Sequence, residues 1–299
     1  MSGNGFVFGA TKPRHRILAR RAARTLRRVM PDAQIDLYTD RKIKDDVFDR
    51  VVKLDRNWHR PKIEALRRSR FERTVYLDND IITVADASDI FVLLERFDIV
   101  GVHDNNRNSR NATGTAGPAL PAAFPSINGG VLGIRRCPEI QQLLTDWEAR
   151  MEANGMDKDQ PSLRSLLWES DLRLGILPIE YNLMNHPLIP ALTEQCAAPR
   201  FIHMRELNRL GRPAGDPAQP FHLSEFYGRR QMAHLRGLID NDATLGNTPA
   251  SSRWRMWYMD WIKARPFSLR YLLTTKLRQR KVRQNHKTPA AAHSKGQAR

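Results

Sequence analysis

The sequence predicts an α/β protein whose mainly parallel sheet carries helices on both faces. Two observations lead there. Short β-branched and aromatic runs alternate along the chain with segments of helical periodicity. A length of 299 residues with 41% hydrophobic content also leaves ample material for one large core.

The elements follow in order. Residues 5–10 (GFVFGA) read as a buried first strand, and 14–29 as a helix with Ile17, Leu18, Ala22, Leu26 and Val29 on one face. Residues 33–40 form a second strand ending in Asp40, and 60–71 a basic helix. The stretch 73–84 (RTVYLDNDIITV) is the most strand-like in the chain, yet it holds Asp78, Asn79 and Asp80. A short helix over 86–97 and an apolar strand over 98–104 come next. Residues 105–127, rich in Asn, Gly, Pro and Ala, have no period and read as a long loop of the functional or mobile kind, with Arg107 and Arg110 on it. A strand over 128–136, an amphipathic helix over 138–154 and a helix over 157–170 with its acids at the amino end follow. Two short strands are expected within 172–184 and 199–204, and no internal repeat is present.

The net charge of +17 is unevenly placed. Residues 253–299 hold thirteen Lys or Arg against one acid, Asp260. The basic character therefore describes a carboxy-terminal appendage more than the fold. Trp254, Trp257, Tyr258 and Trp261 fall on one helical face among Arg253, Arg255 and Lys263, and Pro266 interrupts the pattern before a second basic amphipathic run. The expected division is a catalytic domain over 1–250, a basic aromatic helical segment over 251–283 and a disordered tail over 284–299.

Cys137 and Cys196 lack the spacing of a zinc site or a disulfide framework, so a reducing compartment is expected. The amino terminus has its charges after its apolar run, the wrong order for a secretory signal, and no run approaches the roughly 18 apolar residues of a span. A cytoplasmic protein, peripheral at most on the inner face of the membrane, is expected.

Ionised carboxylates inside a buried strand cost several kcal/mol unless paired, so a cation is expected beside Asp78 and Asp80. Alternate residues of an extended chain share a face, which would aim both carboxylates at one point near the strand's end. That pattern suits a hard divalent cation at the edge where α/β sheets bind ligands. A solvated turn after a strand would look the same. A calcium loop of the EF-hand type fails, because Ile82 and Thr83 stand where a ligand and Gly are needed. A phosphohydrolase with a nucleophilic Asp and an acid Asp two residues later also begins Asp-x-Asp and remains open. Walker and Gly-rich dinucleotide motifs are absent.

Around this motif, KIEALRRSRFERTVYLDNDI, then SDIFVLLERFDIVGVHD, INGGVLGIRR, DKDQPSL, LPIEYN and FIHM occur in one order. As a series over roughly 5–212 they resemble the nucleotide-diphospho-sugar transferases of the GT-A fold, the group of glycogenin and bacterial lipopolysaccharide galactosyltransferases. The resemblance implies a GT-A fold and transfer of a sugar from a nucleotide-diphosphate sugar, a UDP-sugar foremost, to an envelope glycan or lipid-linked acceptor. It implies that Asp78 and Asp80 hold Mn²⁺ or Mg²⁺ with His203 as third ligand, and that Asp78 also meets the donor's ribose side. Lys62 matches the basic residue facing the diphosphate, with Asp40 and Arg212 as further donor contacts. Asn128 matches a sugar contact, with Gly129 and Gly130 allowing close approach. Asp159 and Gln160 match the pair near the reactive carbon, although capping of the helix by Asp157 or Asp159 would also account for acids there. Retention of anomeric configuration is the outcome towards which the likeness to glycogenin leans. After the histidine the sequence departs from the family's usual Gly and Lys-Pro-Trp, offering Arg205, Arg209 and Arg212 for the diphosphate.

For residues 253–283, a helix in the interface of an anionic membrane comes first. Packing of the Trp face on the domain comes second, and nucleic-acid binding last, since no nucleic-acid fold signature accompanies it.

Overall fold

A computed structural model describes residues 3–56, 60–156, 158–184, 186–193, 195–208 and 212–247. The expected basic segment over 251–283 and the tail over 284–299 lie outside the described residues, as do Asp157 and Arg209.

The chain opens with β1 (Asn4–Ala10), α1 (Pro13–Val29), β2 (Ile35–Thr39), β3 (Arg50–Lys53), α2 (Pro61–Arg67) and β4 (Arg73–Leu77). Then come β5 (Ile81–Thr83), α3 (Ile90–Leu93), β6 (Ile99–His103), α4 (Arg110–Thr113) and β7 (Ile127–Arg135). The remainder is α5 (Pro138–Ala153), α6 (Gln160–Glu169), β8 (Leu174–Leu177), β9 (Phe201–His203) and α7 (Arg229–Asp240).

Among the described residues, a seven-stranded sheet has the order β3-β2-β1-β4-β7-β6-β8. Its neighbours pair in parallel except at β7, which runs antiparallel to both β4 and β6. This mixed, mostly parallel sheet flanked by helices is consistent with the GT-A-like fold that the sequence leads one to expect. Burial on both faces explains the nearly continuous apolar strands. Phe6 and Phe8 of β1 face one core with Leu18, Ala22 and Leu26 of α1, while Val7 faces the other with Ile63 and Leu66 of α2 and Trp147 of α5. Prolines at the starts of α1, α2, α5 and α6 occupy positions where a missing N–H costs nothing.

Three local expectations change. The stretch 73–84 is not one strand. β4 stops at Leu77, a turn closes with Ile81 N donating to Asp78 O at 3.1 Å, and β5 leaves to pair with β9 in a separate two-stranded sheet. The 105–127 loop contains the single turn α4, with the Ser109 side chain accepting from Ala112 N. β3 and α7 are additional elements. Leu235 and Leu238 of α7 are buried, but its helical pattern follows a Gly- and Pro-rich stretch in which no element stood out. Among the described residues no helix is long and apolar enough to cross a membrane. Neither cysteine is paired.

Candidate metal and nucleotide-sugar site

Strand order reverses between β1, which leads out to β2 and β3, and β4, which leads the other way. Such a switch point opens a crevice beyond the carboxyl ends of the strands. A cavity of about 190 Å³ lies there, and Thr11, Lys12, His15, Lys62, Asp78 and Asp80 line it. Lys12, at its rim, has φ 70° and ψ 148°, a backbone conformation rare outside glycine. Strain of this kind costs on the order of 1–3 kcal/mol and gathers at functional sites.

The carboxylates of Asp78 and Asp80 and the His203 imidazole each offer a ligand atom within 4.8 Å of the other two. The turn, rather than strand alternation, makes the two carboxylates converge. Asp78 still continues β4, donating its N–H to Gly130 O at 2.8 Å, and Asp80 already belongs to the chain turning into β5. His203 arrives through register: Ile81 pairs with His203 across β5 and β9, and Met204 N donates to Asp80 O at 2.8 Å.

Asp80 and His203 are 3% and 6% exposed. Burial pushes the Asp80 carboxyl up, but His203 and the Asn208 amide, 2.6 Å from Oδ2, more than offset this and hold it below the ordinary carboxylate range. Burial likewise pushes the imidazole down, and Asp80 more than offsets it, leaving His203 above its ordinary value.

Asparagines fix the imidazole's orientation. Asn182 Nδ2 donates to Asn128 Oδ1 at 2.9 Å, so its Oδ1 is turned to His203 Nδ1, 3.0 Å away, and Nδ1 donates. Nε2 is left facing Asp80 Oδ1 at 3.3 Å, a buried oxygen with no hydrogen-bond partner. Two lone-pair atoms so placed need a cation between them, either a proton on Nε2 or a metal ion. With Asp78 alongside, this donor set could hold a divalent cation, the imidazole being fixed through its second nitrogen as metal-binding histidines usually are.

Lys62 is the other expected cation. Buried on α2, its Nζ stands 3.0 Å from Asp159 Oδ2, 3.5 Å from Asp78 Oδ1 and 5.1 Å from the centre of the Tyr76 ring. Burial opposes its charge, but Asp159 and Asp78 prevail and raise it further. Burial also pushes Asp159 up, yet Lys62 and Arg60 hold it down at about 2. Asp159 occupies the cap position of α6, but its side chain makes no capping bond because Lys62 takes it.

The glycines serve these two side chains. A Cβ on Gly129 would come 2.6 Å from Lys62 Nζ, and one on Gly130 2.6 Å from the His203 ring. Asn128 lies inside the network, its Oδ1 accepting from Gly130 N at 3.0 Å and its Nδ2 donating to Asp104 Oδ2 at 3.3 Å. Gln160 is buried with its amide engaged at both ends: Nε2 donates to Asp104 and Ser126 at 3.0 and 2.8 Å, and Oε1 accepts from Asn111 at 2.6 Å. Gln160 therefore ties Asp104, Ser126 and Asn111 together.

Two expected donor contacts stand outside the cleft lining. Asp40, at the carboxyl end of β2, accepts from Arg16 at 2.8 Å, and Arg212 stacks its guanidinium 4.3 Å from the centre of the Phe226 ring. Asn182, Asp104, His15 and Asn208 belong to the site without having been singled out in the sequence. The signal for Asn182 was its place in LPIEYN, one of the ordered motifs.

No protein-family model and no curated protein sequence matches the chain. Among solved structures, the glycosyltransferase GlyE of Streptococcus pneumoniae TIGR4 is similar at 20% identity and a TM-score of 0.47, over 81% of this chain and 63% of that one. This chain thus spans less than two thirds of that neighbour.

Proposed function

We propose that the protein is a metal-dependent glycosyltransferase that moves a sugar from a nucleotide-diphosphate sugar, a UDP-sugar foremost, to an envelope glycan or lipid-linked acceptor. The observation that carries this reading is the convergence of Asp78, Asp80 and His203 within 4.8 Å at the carboxyl edge of the sheet. Lys62 stands beside them.

Asp78, Asp80 and His203 would hold the metal, and Mn²⁺ or Mg²⁺ bound there supplies charge neutralisation for a diphosphate. Lys62 keeps its proton, so its ammonium offers a second, fixed positive charge to the departing nucleoside diphosphate. Asp159, ionised at neutral pH, accepts hydrogen bonds and cannot donate one. That suits gripping a sugar hydroxyl, or facing the positive charge that grows at the reactive carbon as the sugar–phosphate bond lengthens. Asn128 and Gln160 act by keeping His203, Asp104 and α6 in place. Donor contacts are proposed for Asp78 and Lys62, with Asp40 and Arg212 as further donor contacts. A retaining outcome and docking of residues 253–283 on an anionic membrane complete the proposal.

A phosphohydrolase would need the second Asp as a general acid. Asp80 is held ionised against His203, which opposes that role. The test is thermal shift and calorimetry with UDP, GDP and their sugars, with and without Mn²⁺. A nucleoside diphosphate should bind in a metal-dependent way, and Asp80→Ala should remove that dependence. Tight metal-dependent binding by Asp80→Ala would refute the assignment.

A further inference from the structure

A second group of basic side chains, apart from the metal cluster, meets where α6, β6 and the 105–127 loop line one cavity. Arg164, one turn beyond Gln160, is 3% exposed. Its partners are all backbone carbonyls: Nη1 donates to Thr113 O at 3.3 Å, and Nη2 to Pro121 O at 2.8 Å and Phe124 O at 3.0 Å. Nε is buried with no partner. Carbonyl dipoles satisfy N–H groups, but they leave the unit charge of a buried guanidinium without a countercharge.

Arg164 lines a cavity of about 330 Å³ whose wall also includes His103 and Arg107 and contains no acidic residue. Arg107 donates to Ala122 O at 2.8 Å from the exposed side of the same loop. Burial first and Arg107 second push Arg164 down, and the same two causes push His103 down. The adjacent carboxylate, Asp104, is engaged by Asn106 N, Asn128 and Gln160. Along α6 the cavity is separated from Asp159 by five residues, about 7.5 Å of helix.

We infer that this cavity is a subsite for an anionic group, a phosphate or a carboxylate, carried by the acceptor. Only the word acceptor rests on the glycosyltransferase reading; the anion site stands on the buried, uncompensated Arg164 and its basic neighbours. A guanidinium fork matches either group bidentately, and an anion there would supply the missing countercharge.

The experiment measures binding of inorganic phosphate and, separately, of glucuronate to the full chain in EDTA, by calorimetry and thermal shift. The variants are Arg107→Gln, Arg164→Lys, Asp80→Asn and Lys62→Met. Because Arg164 packs against the loop, the exposed Arg107 is the principal probe and Arg164→Lys the second. At least one anion should bind the wild type, Asp80→Asn and Lys62→Met alike. Arg107→Gln should weaken it tenfold or more while keeping metal-dependent UDP binding. Phosphate alone binding marks a phosphorylated acceptor, glucuronate alone an acidic sugar, and both a subsite that takes either. The inference is overturned if neither anion binds, if Arg107→Gln and Arg164→Lys bind as wild type, or if Lys62→Met is the variant that loses the anion. Anion binding without metal-dependent UDP binding would instead remove the glycosyltransferase reading and leave the anion site.

Discussion

His203 Nε2 stands 3.3 Å from Asp80 Oδ1, although 122 residues separate the two in the chain. Asp80 Oδ1 has no hydrogen-bond partner among the described residues, and the far side of the imidazole is tied to Asn182. With Asp78, the pair forms a group of side chains that could hold a metal ion.

Asn182 should act as a positioning residue for the metal. Asn182→Ala removes the acceptor for Nδ1, frees the tautomer and should weaken Mn²⁺ binding about 10- to 100-fold. Asn182→Asp keeps an acceptor for Nδ1 but turns a carboxylate oxygen towards Asn128 Oδ1, so it should recover only part of the loss. Mn²⁺ titration followed by electron paramagnetic resonance measures both.

Gly130→Ala should damage the metal site more than Gly129→Ala. Each new Cβ would come 2.6 Å from its neighbour, but at Gly130 that neighbour is the stiff His203 ring, whereas at Gly129 it is the end of the Lys62 chain. Overpacking of this kind costs roughly 1–3 kcal/mol. Chemical denaturation gives the stability of each variant, and Mn²⁺ affinity should fall clearly only for Gly130→Ala.

The Asp159–Lys62 pair should show in acid unfolding. Asp159 has a folded pKa of about 2 against an ordinary 3.8, so its contribution is fully present above about pH 5 and is lost as pH falls through 3.8 towards 2. Asp159→Asn should start less stable at neutral pH and lose less than wild type between pH 5 and 2. Urea midpoints across that range, followed by circular dichroism, test the sign.

Full-length protein should sediment with vesicles containing anionic lipid, and replacing Trp254, Trp257 and Trp261 together by Ser should abolish this. Aromatic rings at the headgroup level and the flanking Arg and Lys carry the expectation. Equal sedimentation of both proteins would refute it.

The elements around the site were legible because each is coded locally. GFVFGA has the unbroken apolar character of a strand covered on both faces, and Leu18, Ala22 and Leu26 repeat at helical spacing. The meeting of Asp78, Asp80 and His203 was legible through the ordered series of motifs. What failed to appear were features that local pattern does not encode. The turn that ends β4 at Leu77 sits inside a run of strand-forming residues, where burial and propensity read through it. Lys62 was singled out by the resemblance as the residue facing a diphosphate, but its burial against Tyr76 and beside two carboxylates comes from the fold. Arg164 was not singled out in the sequence, and its lack of a countercharge becomes visible only when the 105–127 loop is laid over it.

By itself the sequence determined the alternation of strands and helices, the place of Asp78 and Asp80 at a strand's end and the concentration of charge after residue 252, because all three follow from residues near one another in the chain. Only the tertiary structure decided that Ile81 pairs with His203, that Asn182 orients the imidazole, and that Lys62 belongs to Asp159 and Asp78 together. Those relations depend on register and burial across long separations, and a buried charge takes its chemistry from whichever groups the fold places beside it.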